Sequence, residues 1–202
     1  MHHKNTDIEF WFEFASTYSY PAALLIESRA ASHGFTVVWK PFLLGPIFKE
    51  QGWNDSPFNI YAAKGRYMWR DLARTCRTHK LPYQQPSVFP RNGLLAARVA
   101  CRFAGANWLP EFIRDVYRAN FQHDLDIADP AVIKSCLAGS GEDIEMLLRQ
   151  AQTDTAKSQL KEQTAIAVER GIFGAPSFIV GDELFWGFDR LDAALESAGA
   201  ST

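Results

Sequence analysis

Residues 8–44 read "IEFWFEFASTYSYPAALLIESRAASHGFTVVWKPFLL", and this stretch decides the fold. Its first seven residues alternate imperfectly and are apolar on both faces, a pattern typical of a central strand in an α/β sheet. Residues 19–33 follow as a helix that ends at Gly34, and the β-branched and aromatic residues 35–44 predict a second strand. A β-α-β unit of this length predicts a right-handed crossover and a parallel pair of strands.

The four residues "STYS" at 16–19 fill the turn between the first strand and the helix. Such a turn is a common place for chemistry, because a helix N-terminus offers free N–H groups and a positive end. Cysteines at both ends of this motif would form the C-x-x-C of a thiol oxidoreductase, but the sequence has Ser16 and Ser19. Ser16 cannot form a mixed disulfide, which excludes that class. From the turn alone, Ser16 is most simply a helix N-cap.

The middle of the chain, from about residue 56 to residue 156, is predicted to be helical throughout. Apolar residues recur there at helical spacing over five segments, and no segment has the pattern of a strand. Asn92 is expected to cap one of these helices, and Asp129 caps another that has Pro130 at its first position. The block therefore has the form of an all-helical insertion.

The last fifty residues return to an α/β pattern. A helix that ends at Gly171 precedes two short strands, "PSFIVG" and "ELFWG", which are joined at Gly181-Asp182 as a hairpin. A closing helix follows, with Asp189 as its expected N-cap. The order of elements predicts an α/β, thioredoxin-like fold interrupted by a helical insertion. Residues 1–55 and 157–202 form the discontinuous thioredoxin-like domain, and residues 56–156 form the insertion domain.

Composition excludes several classes of function. The net charge of −2 argues against a nucleic-acid surface or an electrostatic membrane patch. No apolar run approaches the ~18–20 residues that span a bilayer, and no apolar targeting segment precedes the first strand, so a cytoplasmic location is expected. The three cysteines, Cys76, Cys101 and Cys136, are far apart and lack metal-ligand spacing. We therefore expect neither a disulfide framework nor a metal site.

The segment "GIFGAPSFIVGDELFWGFDRLD" (171–192) resembles the DsbA-like branch of the thioredoxin superfamily. Within that branch it is similar to the 2-hydroxychromene-2-carboxylate isomerases and the related kappa-class glutathione transferases. Further matches are "STYSYPAA", "KPFLLGPIF" and "ANFQHDLDIADP", so the resemblance covers nearly the whole chain. The serine motif of the family usually reads Ser-Pro-Tyr-Ser. This sequence departs from it at Thr17, inside the turn that the resemblance makes the active site.

The resemblance implies glutathione as the cofactor and Ser16 as the catalytic residue, hydrogen-bonded to the glutathione sulfur. A hydroxyl donor at the positive end of a helix favours a thiolate, and the thiolate is the nucleophile. Tyr18 and Phe42 are expected nearest to this thiol. The resemblance also implies a cis peptide bond before Pro176, which turns the backbone of Ala175 toward an extended peptide ligand. An ordinary trans proline is the commoner alternative.

Further contacts to glutathione are implied for four residues. Asn54 and Lys64 match positions near the thiol and the glycyl carboxylate. Phe188 contributes a main-chain contact, and Asp189 a carboxylate for the γ-glutamyl ammonium group. Each residue type also has a simpler role, since a lone surface lysine is usually solvated and aspartate is a routine N-cap. Arg91 and Asn92 are weaker candidates.

The function that the resemblance implies is a glutathione-dependent isomerase of aromatic catabolism. It would interconvert 2-hydroxychromene-2-carboxylate and trans-o-hydroxybenzylidenepyruvate, with a small aromatic molecule as substrate and a homodimer as the assembly. The first alternative is a kappa-class-like glutathione transferase, which conjugates electrophiles irreversibly. The second is a thioredoxin-fold binding protein without catalytic activity, which would not bind glutathione.

Overall fold

The structure, a computed structural model, describes residues 7–200, and the side chains as far as residue 197. Within that range, four strands form one sheet: β1 (Asp7–Phe12), β2 (Thr36–Pro41), β3 (Ser177–Val180) and β4 (Glu183–Trp186). The strand order is β2-β1-β3-β4. β1 and β2 are parallel, whereas β1 with β3 and β3 with β4 are antiparallel. The predicted parallel pair and the predicted hairpin are therefore both confirmed.

Ten helices surround the sheet in the same range. They are α1 (Ser19–Ser32), α2 (Leu44–Glu50), α3 (Pro57–Ile60), α4 (Ala62–Thr78), α5 (Leu94–Arg102), α6 (Leu109–Phe121), α7 (Pro130–Cys136), α8 (Ile144–Ala151), α9 (Asp154–Glu169) and α10 (Leu191–Ala200). Single 3₁₀ turns lie at Ala138–Ser140 and Phe188–Arg190. None of these helices is long and apolar enough to cross a membrane.

The core is built around β1, which lies between β2 and β3 in the sheet. Phe10 pairs with Trp39 of β2 and with Phe178 of β3, and its ring lies 5.2 Å and 5.5 Å from theirs. Phe10 and Phe12 are completely buried, as expected of a central strand. Burying aromatic side chains of this size gives the core much of its hydrophobic stabilisation.

The helical insertion shares this core with the sheet. Tyr117 of α6 packs against Phe12 and Phe14, with ring centroids 6.3 Å and 5.3 Å apart. The same cluster of buried residues includes Val99 from α5 and Leu147 from α8. One hydrophobic core therefore runs through both predicted parts of the chain, and the boundaries at residues 56 and 156 stay a prediction.

Two predicted elements end in different places in the structure. The second strand stops at Pro41, and the short helix α2 follows it, which the sequence did not suggest. Gly45 and Pro46 read as a turn, but proline is tolerated in the first turn of a helix because the N–H there has no helical partner. The predicted helical block begins with two separate helices, α3 and α4, because Tyr61 between them has φ and ψ of −107° and 89°, outside the helical region.

Three of the predicted helix ends are confirmed. Asp129 accepts a hydrogen bond from the Ala131 N–H at 2.8 Å and caps α7, with Pro130 at the first position. Gly34 and Gly171, which follow α1 and α9, have φ values of 76° and 73°. This left-handed conformation is the one that favours glycine after a helix.

Gly65 of α4 lets α3 pack closely against that helix, and an alanine there should destabilise the fold. An added Cβ would lie 2.2 Å from the Phe58 carbonyl oxygen, so one of the two helices has to shift. We expect Gly65→Ala to lower the free energy of unfolding by about 1–3 kcal/mol in urea titrations. The control is Gly45→Ala in α2, where nothing lies within 4 Å and helix propensity favours alanine. Equal stabilities of the two variants would contradict this packing.

Candidate functional site

A cleft of about 840 Å³ opens beside the turn that follows β1. Its volume lies within the range of ~300–1,000 Å³ that is typical of small-molecule sites. It is lined by residues 13 and 15–18, 43–45, 48–49, 53–58, 64, 89–94, 173–176 and 186–187. The cleft thus joins the "STYS" turn, α2, the start of the helical block and the loop before β3.

Ser16 lies in this cleft, where its hydroxyl donates a hydrogen bond to the Ala175 carbonyl oxygen at 2.9 Å. The Ala175–Pro176 peptide bond is cis, as the resemblance implied. The single hydroxyl hydrogen of Ser16 points to Ala175, so its oxygen is free to accept. The O–H bond has to rotate about the Cβ–Oγ bond before the hydroxyl can donate to a sulfur atom.

Ser16 does not cap the first helix. The N-cap of α1 is Tyr18, which makes no capping hydrogen bond with its side chain. The second serine of the motif, Ser19, is completely buried at the start of α1. The two serines therefore face different surroundings, and only Ser16 is available to a molecule in the cleft.

Thr17 replaces the usual proline of the motif and ties the turn to the helical insertion. Its side chain is buried, and its hydroxyl donates to the sulfur of Met68 in α4 at 3.1 Å. Proline would fix the backbone of the turn but has no such donor. The turn is therefore held in part by this contact between Thr17 and α4.

Tyr18 also lines the cleft, as the resemblance implied. Its hydroxyl donates to Asp71 of α4 at 2.9 Å. Partial burial, and then the hydrogen bond to Asp71, raise the pKa of this phenol well above its usual value. Tyr18 therefore stays protonated at neutral pH. Phe42, which was also expected near the thiol, is completely buried against Trp11 and does not line the cleft.

Glu13 is a site residue that the sequence reasoning missed. Its half-buried side chain lines the cleft, and the carboxylate accepts a hydrogen bond from the Ala15 N–H at 2.9 Å. Burial raises the pKa of Glu13 to about 7, although hydrogen bonds from the Ala15 and Ser16 backbones act in the opposite direction. The available signal was an acidic residue within an apolar run, three positions before the serine.

Asn54 and Lys64 line the same cleft as Ser16, each with an exposed side chain. The Lys64 ammonium group lies 4.8 Å from the centre of the Tyr61 ring. Lys49 of α2 is a second cleft lysine, and it was missed because α2 was not predicted. The cleft therefore combines an amide and two ammonium groups with the serine hydroxyl.

Phe188 and Asp189 do not line the cleft, whereas the preceding residue, Gly187, does. They belong to a separate hollow of about 280 Å³. Phe188 packs edge-on against His79, with ring centroids 5.3 Å apart. The prediction that Asp189 caps the last helix is wrong, because it lies inside a 3₁₀ turn and α10 begins only after Arg190. Its carboxylate instead lies 3.3 Å from the Arg190 guanidinium.

Two aromatic pairs form walls of the cleft. Phe48 and Trp53 lie 5.6 Å apart, and Phe173 and Trp186 lie 4.9 Å apart, measured between ring centroids. Phe173 and Trp186 are both about half exposed. Gly174 lets the indole approach the backbone, since a Cβ there would lie 2.4 Å from the indole nitrogen. Walls of this kind suit a flat, apolar ligand.

The weaker candidates also lie at the cleft, with their polar groups largely occupied. The buried Arg91 pairs with Asp124 and donates to the Asn120 side chain at 3.1 Å. The prediction that Asn92 caps α5 is wrong by one residue: the N-cap is Gly93, and Asn92 before it accepts a hydrogen bond from the Leu94 N–H at 2.9 Å. Both side chains thus support the loop that closes one side of the cleft.

The chain matches the model of the DSBA-like thioredoxin domain over residues 7–198. This match confirms the fold class that was predicted from the sequence. A solved structure described as 2-hydroxychromene-2-carboxylate isomerase has the same fold, with a TM-score of 0.86 and 24% identity. The alignment covers 96% of this chain and 95% of that one.

Curated relatives extend the comparison to named proteins. A 2-hydroxychromene-2-carboxylate isomerase of Sphingobium xenophagum is 27% identical, over 92% of this chain and 94% of its own length. The glutathione S-transferase kappa 1 of Homo sapiens is 25% identical, over 92% of this chain and 87% of its own length. This chain therefore aligns with both relatives over nearly their full lengths.

The carboxyl of Glu13 should make the stability of the ligand-free protein depend on pH. The folded protein binds this proton more tightly than the unfolded chain, because the pKa rises from 4.5 to about 7 on folding. Stability is therefore lost as the pH rises from about 5 to 8. We expect Glu13→Gln to remove roughly 1–2 kcal/mol of that loss in urea titrations at pH 5 and 8, allowing for partial solvent access. An identical loss in both proteins would contradict the shifted pKa.

Proposed function

The chain belongs to the DSBA-like thioredoxin domain family, and from this membership we propose that it is a glutathione-dependent isomerase. Its reaction is the interconversion of 2-hydroxychromene-2-carboxylate and trans-o-hydroxybenzylidenepyruvate. The relatives named for that isomerase and for kappa-class glutathione transferase support this reading. The observation that carries the proposal is a cleft with a serine where a thiol oxidoreductase of this fold would have a cysteine.

A reactive sulfur has to come from outside the protein. None of the three cysteines lines the cleft, and burial raises the pKa of each thiol. The pKa is about 12 for Cys76 and Cys136 and about 11 for Cys101. At neutral pH these thiols are protonated, and a protonated thiol is a poor nucleophile. Glutathione is a soluble source of the missing thiol.

The donor groups of the cleft fit glutathione, which is a tripeptide with two carboxylates and one ammonium group. Lys49 and Lys64 offer positive charge for carboxylates, and Asn54 offers an amide hydrogen-bond donor. The half-buried backbone of Ala175 lines the cleft and suits an extended peptide. Ser16 lies beside Ala175, where it would meet the cysteinyl side chain of a peptide bound in this way.

Bound glutathione would supply a nucleophilic sulfur for reversible addition to the enone of the substrate, which converts the double bond into a single bond that can rotate until elimination restores it. The chain binds and orients the two molecules for this chemistry. Ser16 turns its hydroxyl from Ala175 and donates to the sulfur, which stabilises the charged form. The aromatic pairs Phe48–Trp53 and Phe173–Trp186 hold the flat ring of the substrate and exclude water.

The kappa-class-like transferase is the second candidate, and the alignment with the human transferase favours it. It would use the same cleft and the same thiolate, but its product keeps the sulfur bound. The non-catalytic binding protein is the third candidate. It predicts no heat of binding and no thermal stabilisation with millimolar glutathione.

The proposed reaction is tested with purified protein, glutathione and two substrates. We expect the spectrum of 2-hydroxychromene-2-carboxylate to change toward that of the pyruvate isomer, only when glutathione is present. A chloro-nitrobenzene should be conjugated much more slowly. Rapid conjugation without isomerisation would favour the transferase, and the absence of both reactions would contradict either enzyme.

Ser16 is tested by its replacement with alanine. We expect Ser16→Ala to bind glutathione with an affinity within a few-fold of the native protein. The ultraviolet absorbance of the bound thiolate should be lost, and kcat should fall by about 10²–10³, as when one hydrogen-bond donor to a developing anion is removed. Ser28→Ala, on the exposed face of α1, is the matched control and should behave as the native protein. An unchanged thiolate absorbance in Ser16→Ala would remove Ser16 from the mechanism.

A further inference from the structure

The cleft needs a group that can take the proton of a thiol, and Ser16 is not that group. Its hydroxyl is already a donor to Ala175 at 2.9 Å, and a neutral alcohol is a very weak base. A hydrogen bond from Ser16 stabilises a thiolate once it exists. This hydrogen bond does not account for the proton that the thiol loses, which needs a separate acceptor.

Most titratable side chains of the cleft are unsuited to accept this proton. Lys49, Lys64 and Arg91 are cations. Tyr18 is a neutral phenol that donates to Asp71. Asp55 is exposed, and both of its carboxylate oxygens accept hydrogen bonds, one from the Ser56 N–H at 2.6 Å and the other from the Asn59 amide at 3.1 Å. Among the cleft-lining residues that the structure describes, these groups leave Glu13.

Glu13 is held in place next to Ser16 by the backbone around it. Its carbonyl oxygen accepts from the Ser16 N–H at 3.0 Å and from the Tyr117 hydroxyl of α6 at 2.9 Å. Its carboxylate accepts from the Ala15 N–H at 2.9 Å. The carboxyl group is thereby fixed at the cleft, between the end of β1 and the serine.

The electrostatic surroundings of Glu13 leave its charge free to change near neutral pH. Tyr117 is the titratable group that faces it from α6, and burial keeps the pKa of that phenol well above its usual value. Burial of the Glu13 carboxyl itself brings its pKa to about 7. A carboxyl with such a pKa is populated in both forms at neutral pH, which suits a group that accepts and returns a proton.

We propose that Glu13 is the proton acceptor of this cleft, an inference that rests on the proposed glutathione-dependent function. When glutathione binds, the S–H bond breaks, the electron pair stays on sulfur, and the proton moves to a carboxylate oxygen of Glu13. When the thiol is released, the proton returns to sulfur and Glu13 becomes a carboxylate again. The cycle is proton-neutral and needs no further reactant.

The test compares the number of thiolates formed with the number of protons released to the buffer when glutathione is titrated into the protein at pH 8. Thiolate is measured by ultraviolet absorbance. Released protons are measured by calorimetry in two buffers of different ionisation enthalpy. The variants are Glu13→Gln, which keeps an acceptor for the Ala15 N–H, and Glu13→Asp, which keeps a carboxylate. Glu9→Gln is the control, since Glu9 lies on β1 four residues before Glu13, accepts a hydrogen bond from the Trp11 indole at 2.7 Å and does not line the cleft.

We expect the native protein and Glu9→Gln to form thiolate with almost no proton released to the buffer. In Glu13→Gln, either the thiolate is lost or each thiolate releases about one proton. Its kcat should fall by about 10²-fold with the KM for glutathione little changed, and Glu13→Asp should recover part of that loss. Thermal unfolding of the variants confirms that they are folded.

Two results overturn this role. The first is that the native protein releases one proton for each thiolate formed. The second is that Glu13→Gln forms as much thiolate and releases as few protons as the native protein. If the native protein still isomerises its substrate, the proposed function survives and only Glu13 loses its role. If the native protein neither binds glutathione nor isomerises, the proposed function fails and this role fails with it.

Discussion

The antiparallel pairing of β1 with β3 is the constraint on which the architecture of the cleft depends. At one end of this pair, the Ser16 hydroxyl donates a hydrogen bond to the Ala175 carbonyl. This bond joins two residues that are 159 positions apart in the chain. The pairing of β1 with β3 brings these two segments to the same end of the sheet. Without that antiparallel pairing, the "STYS" turn and the loop before β3 would have no reason to meet. The position of the cleft is therefore determined by the sheet topology, and its side chains are then placed by that topology.

The local elements of this fold could be predicted from the sequence because their signals are local. The central strand, the β-α-β unit and the C-terminal hairpin follow from apolar periodicity and from turn residues, and all three are present. The helix α2 was not predicted, because a glycine followed by a proline usually marks a turn, although proline is tolerated in the first turn of a helix. Asp189 was wrongly taken as a helix cap because the sequence does not distinguish a 3₁₀ turn from a first helical turn.

The cleft could be predicted only in part, since burial and electrostatics depend on the whole molecule. Ser16, Asn54 and Lys64 were identified by resemblance, and they do lie together. Glu13 was overlooked because a carboxylate in a strand-like run is usually solvated, and its neighbour Tyr117 comes from a helix 104 positions away. The placing of the Phe188 side chain outside the cleft likewise depends on its contact with His79, which no motif contains.

The contact between Thr17 and Met68 connects the turn that carries Ser16 to helix α4 of the helical insertion. A proline at this position would make the shape of the turn a property of its own backbone. With threonine, that shape depends on where α4 lies, because the hydroxyl is anchored to a side chain 51 positions away. A substitution that displaces Met68 would therefore also disturb the turn that carries Ser16. In this chain, the position of the serine and the packing of α4 are coupled, so that neither can change without a compensating change in the other.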